Sequence, residues 1–222
     1  MSDQSTSRGL PTSFSIGLPP EWFELDVASP DIADQIHRLV AERIPAGDEY
    51  TELRRLVEGQ FRTFVALGRN VDLVMAAGFA EAVLDDRDAA DIGDGDPPSA
   101  ADQVALLVAN LVVSMHGTDT VVSADDLGSL FTEGTGVDGS DRTVETVRLP
   151  VGPSVCLKET RPEWFEDAPD PSFFRFVQYL IPVEDGGGTA VLTFSTPSIP
   201  FIDDFEEVFL AVAETFEFVW AD

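Results

Sequence analysis

The sequence predicts an α+β domain in which one antiparallel β-sheet lies between helices. Three observations carry this reading. Residues 201–216 place Phe201, Phe205, Val208, Phe209, Val212 and Phe216 on one helical face and Asp203, Asp204, Glu206, Glu207 and Glu214 on the other. Residues 173–183 and 190–196 are strand-forming runs on either side of Asp185-Gly186-Gly187-Gly188, the signature of a hairpin. The order of elements is a strand pair, two helices, several antiparallel strands and a closing helix, which is the pattern of a sheet with helices packed on its faces.

Each element follows from a local pattern. Phe14, Ile16 and Leu18 alternate with Ser15 and Gly17 as a strand with one buried face, and Pro19-Pro20 ends it. Phe23, Leu25 and Val27 alternate as a second short strand. Ser29-Pro30-Asp31 reads as a helix start with Ser29 as N-cap. Ile32, Ile36, Leu39, Val40 and Ile44 follow at helical spacing, and Pro45-Ala46-Gly47 stops that helix. A second helix is predicted over 49–67, with Leu53, Leu56, Val57, Phe61, Phe64 and Val65 as its apolar stripe, closed by Gly68 and Asn70.

Val71, Leu73, Met75, Ala77 and Phe79 alternate as a strand, and the acidic, Gly- and Pro-rich stretch at 85–102 reads as a solvated loop. The almost continuous apolar run 104–115 fits a long central strand. Ser123 and Asp126 stand at the N-cap and capping-box positions of a short helix through Phe131. Strands at 143–149 and 154–159 join through Pro150-Val151-Gly152-Pro153, and 161–172 is expected to be a loop.

The chain has 222 residues, 44% of them hydrophobic, which suits a single domain over 13–222 behind a flexible tail at 1–12. There are 41 Asp and Glu against 13 Lys and Arg, a formal net charge of −28. Such a surface repels phosphate backbones and anionic lipid, so neither nucleic acid nor a membrane is an expected partner. Another protein, basic in character, and weakly held divalent cations are expected instead. Lys158 is the only lysine, and the preference for Arg, Asp, Ala and Val is that of a GC-rich genome such as an actinobacterium's. On that reading the charge belongs to the host proteome rather than to the function. Cys156 is the only cysteine, so no intrachain disulfide forms, and its apolar neighbours make it a small core residue. The polar N-terminus has no signal-peptide h-region and no run approaches 18 apolar residues, so a cytoplasmic location is expected.

The sequence holds no evident catalytic set. Nucleophilic catalysis needs a base and an orienting group, and the chain has only two histidines, His37 in the first helix and His116 at a strand end beside Asp119. Structural placement is the simpler reading of both. Cys156 has only Lys158 as an electropositive neighbour, which disfavours a thiolate. Asp85, Asp86, Asp88, Asp91, Asp94, Asp96 and Asp102 offer hard oxygen ligands, but not at EF-hand spacing. Gly186-Gly187-Gly188 joins two strands and is turn chemistry, not a phosphate cradle. No cofactor and no specific metal site is expected.

The pentapeptide Pro-Glu-Trp-Phe-Glu occurs at 20–24 and again at 162–166, with unmatched flanks. The aromatic residues in these two copies are the candidate partner-binding positions: Trp164 and Phe165 first, then Trp22, because an exposed Trp can anchor an interface. Core packing is the plainer role for each.

The opening Phe14-Ser15-Ile16-Gly17-Leu18-Pro19-Pro20-Glu21-Trp22 resembles the "F-x-hydrophobic-x-L-P-x-G-W" start of PsbP-like domains, with Glu21 where that family usually has Gly. The run Ala190-Val191-Leu192-Thr193-Phe194-Ser195-Thr196, a helix, and Thr215-Phe216-Glu217-Phe218 are similar to the family's last strand and closing helix. The two helices between Asp31 and Leu67 are longer than the family's. The resemblance implies an antiparallel sheet between helices and no shared catalytic constellation. Known members include a photosystem II extrinsic protein, a Ran-binding import factor, DcrB and LpqN-type lipoproteins, and most bind other proteins or assist assembly. A non-enzymatic protein-binding or assembly-accessory domain is therefore the expected function. The alternatives are a divalent-cation-responsive protein using the acidic loop, or an enzyme with a carboxylate-only site.

Overall fold

A strand buried on both faces must be apolar at successive positions, and the run beginning at Val104 meets that demand. A computed structural model describes residues 11–27, 29–68, 73–84, 104–118, 121–133, 141–163, 171–183 and 187–221. The elements in chain order are β1 (Ser13–Ser15), β2 (Phe23–Leu25), α1 (Ile32–Arg43), α2 (Thr51–Gly68), β3 (Leu73–Leu84), β4 (Val104–Gly117), α3 (Ala124–Glu133), β5 (Asp141–Leu149), β6 (Gly152–Glu163), β7 (Ser172–Pro182), β8 (Gly188–Thr196), α4 (Ile202–Glu214) and β9 (Glu217–Val219). Seven strands form one sheet in the order β2-β3-β4-β8-β7-β6-β5, and β1 pairs with β9 in a separate ribbon. Every neighbouring pair is antiparallel. The fold is thus α+β with an antiparallel sheet, as the sequence predicts.

Alternate residues of the strands feed two different cores. Ala77, Ala109, Leu111, Val113, Cys156, Tyr179, Leu192 and Phe194 pack against Phe205, Phe209, Val212 and Ala213 of α4. The intervening Ala76, Ala80 and Val108 pack against Ile36 and Val40 of α1 and Val57, Phe61 and Val65 of α2. Further along that second face, Val155, Leu157 and Leu180 receive Ala124 and Leu127 of α3. Helices α1, α2 and α3 therefore share one face of the sheet, and α4 covers the other. Between α2 and α3 the floor turns polar, with Asn110, Ser114 and Ser195 buried and Gln178 half-buried.

Local chemistry accounts for the helix ends. The capping box of α3 is complete: the Asp126 N–H donates to Ser123 Oγ at 3.2 Å, and the Ser123 N–H donates back to Asp126 Oδ2 at 3.1 Å. At α1 the structure shifts the N-cap from Ser29 to Asp31; Ser29 Oγ instead accepts the Asp31 N–H at 3.2 Å, two residues before the helix. The predicted helix 49–67 begins with a 3-10 turn at Asp48–Tyr50.

Three strand expectations are corrected. The opening strand is only Ser13–Ser15, because its partner is not the main sheet but β9, a short strand just past the helix predicted over 201–216. Helix α4 accordingly stops at Glu214, and Phe216 leaves it to enter the core and stack on Phe14, ring centroids 5.5 Å apart. The loop expected from Arg161 begins later, since β6 continues to Glu163 and Pro162 pairs with Phe173. Pro162 is tolerated there because β5 ends its pairing at Thr160, so among the described residues β6 has become an edge. The tail before Pro11, the acidic stretch 85–102, Trp164, Phe165 and the turn at 184–186 lie outside the described residues.

Two glycines separate crowding from propensity. A Cβ on Gly78 would stand 2.6 Å from Cε1 of the fully buried Phe61 and 3.0 Å from the Phe23 ring, whereas a Cβ on Gly59 would meet nothing within 4 Å. Gly78→Ala is expected to lower stability by about 1–3 kcal/mol through overpacking. Gly59→Ala, in the interior of α2, should raise it by about 1 kcal/mol through helix propensity. Urea denaturation of the two variants checks both signs.

Candidate functional site

The structure disperses the three aromatic candidates. Trp22 is 9% exposed and lies in the α4 core, with its ring 6.4 Å from each of Phe79, Phe194 and Phe209. A side chain so enclosed presents no face to a partner, and its role is packing. Trp164 and Phe165 fall outside the described residues, but their flanks do not. They belong to the connection between β6 and β7, whose last pairs are Arg161 with Phe174, Pro162 with Phe173 and Glu163 with Ser172.

That end of the hairpin has a definite surface. Phe173 is 54% exposed beside Pro162. On the opposite face Phe174 is buried and lies 6.2 Å from Phe176. The guanidinium of Arg161 covers the Phe176 ring at 4.1 Å, a cation–π contact. Arg161 Nε also donates to Glu163 Oε1 at 2.8 Å, and its other nitrogen approaches Glu159 at 3.9 Å. Glu159 is the only buried carboxylate among the described residues, so a carboxylate pair in one pocket is not formed there. Phe173 thus stands out to solvent on one face of this hairpin end, while Arg161 packs on Phe176 on the other.

Beneath Phe173 the same two strands are fastened to α4. Glu206 on α4 accepts from Lys158 Nζ at 2.6 Å and from Arg175 Nε at 2.9 Å, and Arg175 also donates to Thr160 Oγ1 at 3.1 Å. Burial by itself would raise the Glu206 carboxyl; the hydrogen bonds from Lys158 and Arg175 outweigh it and hold the group below the usual carboxylate range. The bond to Glu206 likewise raises the Lys158 ammonium. Both carboxylate oxygens of Glu206 are used, so this cluster is a clamp rather than an open site. Cys156, on the same face, is buried, and its thiol is pushed up to about 11 chiefly by desolvation. It is therefore a neutral thiol at pH 7, in keeping with its expected role in the core.

The histidines give no catalytic geometry among the described residues. His37 is exposed and bonds Glu58 Oε1 at 2.7 Å, tying α1 to α2. His116 Nε2 lies 2.9 Å from Ser114 Oγ, two residues away on β4, with no carboxylate among the described residues on its other nitrogen. No group of three or more metal-ligating side chains occurs among the described residues, and no described helix is long and apolar enough to cross a membrane. Neither Phe173 nor Arg161 is a candidate on the sequence pattern, which ends one strand at Glu159 and begins the next at Phe173; a strand continued through Pro162 would have placed Arg161 in it. Compared with known proteins, the chain matches no family model and no curated sequence.

The clamp has a pH dependence of fixed sign. Glu206 titrates below the ordinary glutamate value of 4.5 in the fold, so its contribution is complete at neutral pH and disappears as pH falls from about 4.5 through the lower folded value. Glu206→Gln should cost about 1 kcal/mol at pH 7, a charged hydrogen-bond value discounted for partial exposure, and less at pH 4, just below the ordinary glutamate value. Thermal melts of the variant and the parent at the two pH values test this.

Proposed function

We propose that the protein is a non-enzymatic binding domain of the PsbP-like kind, acting in the cytoplasm of an actinobacterial host on another protein. The observation that carries the binding reading is Phe173. It is the one exposed phenylalanine among those whose side chains are described, and it stands at the hairpin end that leads into Trp164-Phe165. An exposed aromatic of this kind can anchor an interface. The charge of −28 favours a basic partner surface and works against nucleic acid and anionic membrane. What supports the family reading is the antiparallel sheet with helices on both faces, together with the tryptophan after Leu18-Pro19 set in the core.

The test immobilises the full chain, exposes it to a lysate of the source organism and quantifies retained proteins by mass spectrometry. A partner that docks on Phe173 is expected to be lost about 30-fold in Phe173→Ser, corresponding to about 2 kcal/mol. Leu210→Ser, a control at an exposed position on α4, should leave retention unchanged. Equal retention by both variants, or no retained protein with the parent chain, would refute the reading.

A further inference from the structure

We propose that the polar valley between α2 and α3 binds an uncharged, polyhydroxylated ligand, a sugar or a cyclic polyol. This site is separate from Phe173 and does not rest on the protein-binding reading.

The valley follows from where the helices sit. Helix α2 rests on β3 and β4, and α3 on β5, β6 and β7, which leaves β8 between them. Neighbouring strands are about 4.8 Å apart, so the two helix axes are about 17 Å apart, against about 8–10 Å for helices in contact. A gap of roughly 7 Å follows, enough for one six-membered ring. Among the described residues no helix or strand enters it.

The floor is built of amides and hydroxyls. Asn110, Val112 and Ser114 lie on it from β4, Thr193 and Ser195 from β8, and Phe176 and Gln178 from β7. They share the face of Val108, which packs with α1 and α2, and of Val191 and Leu180, which pack with α3. Asn110 is opposite Ser195, and Ser195 opposite Phe176. Gln178 Nε2 donates to Thr193 Oγ1 at 3.0 Å.

Two buried amide oxygens here have no partner. Asn110 is 3% exposed and its Oδ1 makes no hydrogen bond; nor does Oε1 of Gln60 on α2. The other such atoms among the described residues are Nε of Arg54 and of Arg142. Those guanidinium groups are otherwise engaged, Arg54 with the Ile44 carbonyl at 3.0 Å and Arg142 over the Phe131 ring. Both amides serve the same valley. Phe61 stands over Gly78, which pairs with Asn110. Glu58 turns to α1, where it meets His37. Gln60 is next to Phe61 and about 160° around the helix from Glu58, so it lies on the flank away from α1. A buried acceptor without a donor costs stability, and such an atom calls for an explanation. A ligand that brings the donors supplies one.

The groups select the ligand. None of these floor residues is ionisable, although the chain carries a net charge of −28. Beyond Phe176, Glu159 is already faced by Arg161 at 3.9 Å and paired across the sheet with Arg142. An anion is repelled by the whole chain, and a cation finds no carboxylate on the floor. Two adjacent hydroxyls match one amide head: one O–H donates to its oxygen, and the neighbouring oxygen accepts from its NH2. An amide turned end for end presents NH2 where its oxygen was, and a hydroxyl answers that equally well. Phe176 is half-buried, with Arg161 on one side of its ring, and adds apolar surface for the C–H face of a sugar. A few convergent polar groups beside an aromatic are the composition of a small-molecule site.

The experiment titrates the 15N-labelled full chain with glucose, galactose, trehalose and myo-inositol, and separately with 1,4-diaminobutane and inorganic phosphate. At least one polyol is expected to give saturable shifts at the backbone amides of Asn110, Ser114, Thr193 and Ser195 and at the side-chain NH2 groups of Asn110 and Gln60. The charged probes are expected to give none. Asn110→Leu and Gln60→Leu should each weaken binding about tenfold, as the loss of one 1.4 kcal/mol contact does. Both should leave the urea midpoint unchanged or raise it, because each removes a partnerless buried amide. Gln60→Leu, at a half-buried helix position, keeps the test decisive if Asn110→Leu folds poorly. Phe173→Ser should leave the titration unchanged, so the two surfaces stand or fall separately. The proposal is overturned by no saturable shift with any polyol, by saturation with a charged probe instead, or by polyol shifts indifferent to both variants. Lowered midpoints in both variants would also overturn it, marking the amides as seats for ordered water only.

Discussion

The stack of Phe194 on Phe209, ring centroids 4.7 Å apart and nearly parallel, is the contact on which the rest of the molecule depends. It joins β8, the middle strand of the seven, to α4, which packs on the face opposite α1, α2 and α3. Tyr179 and Trp22 meet Phe194 edge-on at 6.0 and 6.4 Å, so β7 and the segment before β2 close around the same ring. Offset stacks and edge-on contacts of this kind add to the area they bury. Removing α4 would expose Ala109, Leu111, Val113, Leu192 and Phe194 together, and no isolated sheet of this size tolerates that.

The constraint propagates outward. Because both faces of β3 and β4 are covered, both must be lined with small residues where the layers approach, which is the meaning of Ala76, Ala77, Gly78, Ala80 and Ala109. The two end strands extend the same cover: β1 and β9 pair beside α4, and Thr215 Oγ1 accepts the Gly17 N–H at 2.7 Å. Toward β6 and β7 the apolar packing of α4 gives way to the clamp of Lys158, Glu206 and Arg175. There a chain short of cations gathers its only lysine and one of its arginines around a single carboxylate. Past that clamp the strands are free to display side chains outward. Phe173 stands exposed there, and among the described residues β5 is the last strand of the sheet.

Much of this was legible in the sequence where one periodicity ruled a segment. The apolar run from Val104, the capping box at Ser123 and Asp126, and the alternation on both sides of the glycine turn all became the elements they predict. Errors came where two periods competed. Residues 201–216 fit a helix throughout, yet α4 ends at Glu214, Phe216 turns into the core and the next three residues pair with β1 as β9. A proline beside tryptophan suggested a loop at 162, since the edge status of β6 depends on where β5 stops, a fact of register and not of local pattern. Trp22 looked like a candidate surface anchor for a related reason: its burial is decided by α4, nearly 200 residues away in the chain. That β5 ends the sheet was invisible in the sequence, because being last is a property of topology alone.

The inner strands are locked between two helical layers, while among the described residues no strand pairs with the outer edge of β5. Amide hydrogen exchange on the free, full-length chain reads both halves of that statement at once. The slowest exchange is expected in β4, β8, β7 and α4. Fast exchange is expected at Arg142, Val144, Thr146 and Arg148, beside slow exchange at their neighbours Thr143, Glu145 and Val147. Uniform protection along β5 would mean that its edge is already covered, and early exchange of α4 and β8 would contradict a fold held by the Phe194–Phe209 contact.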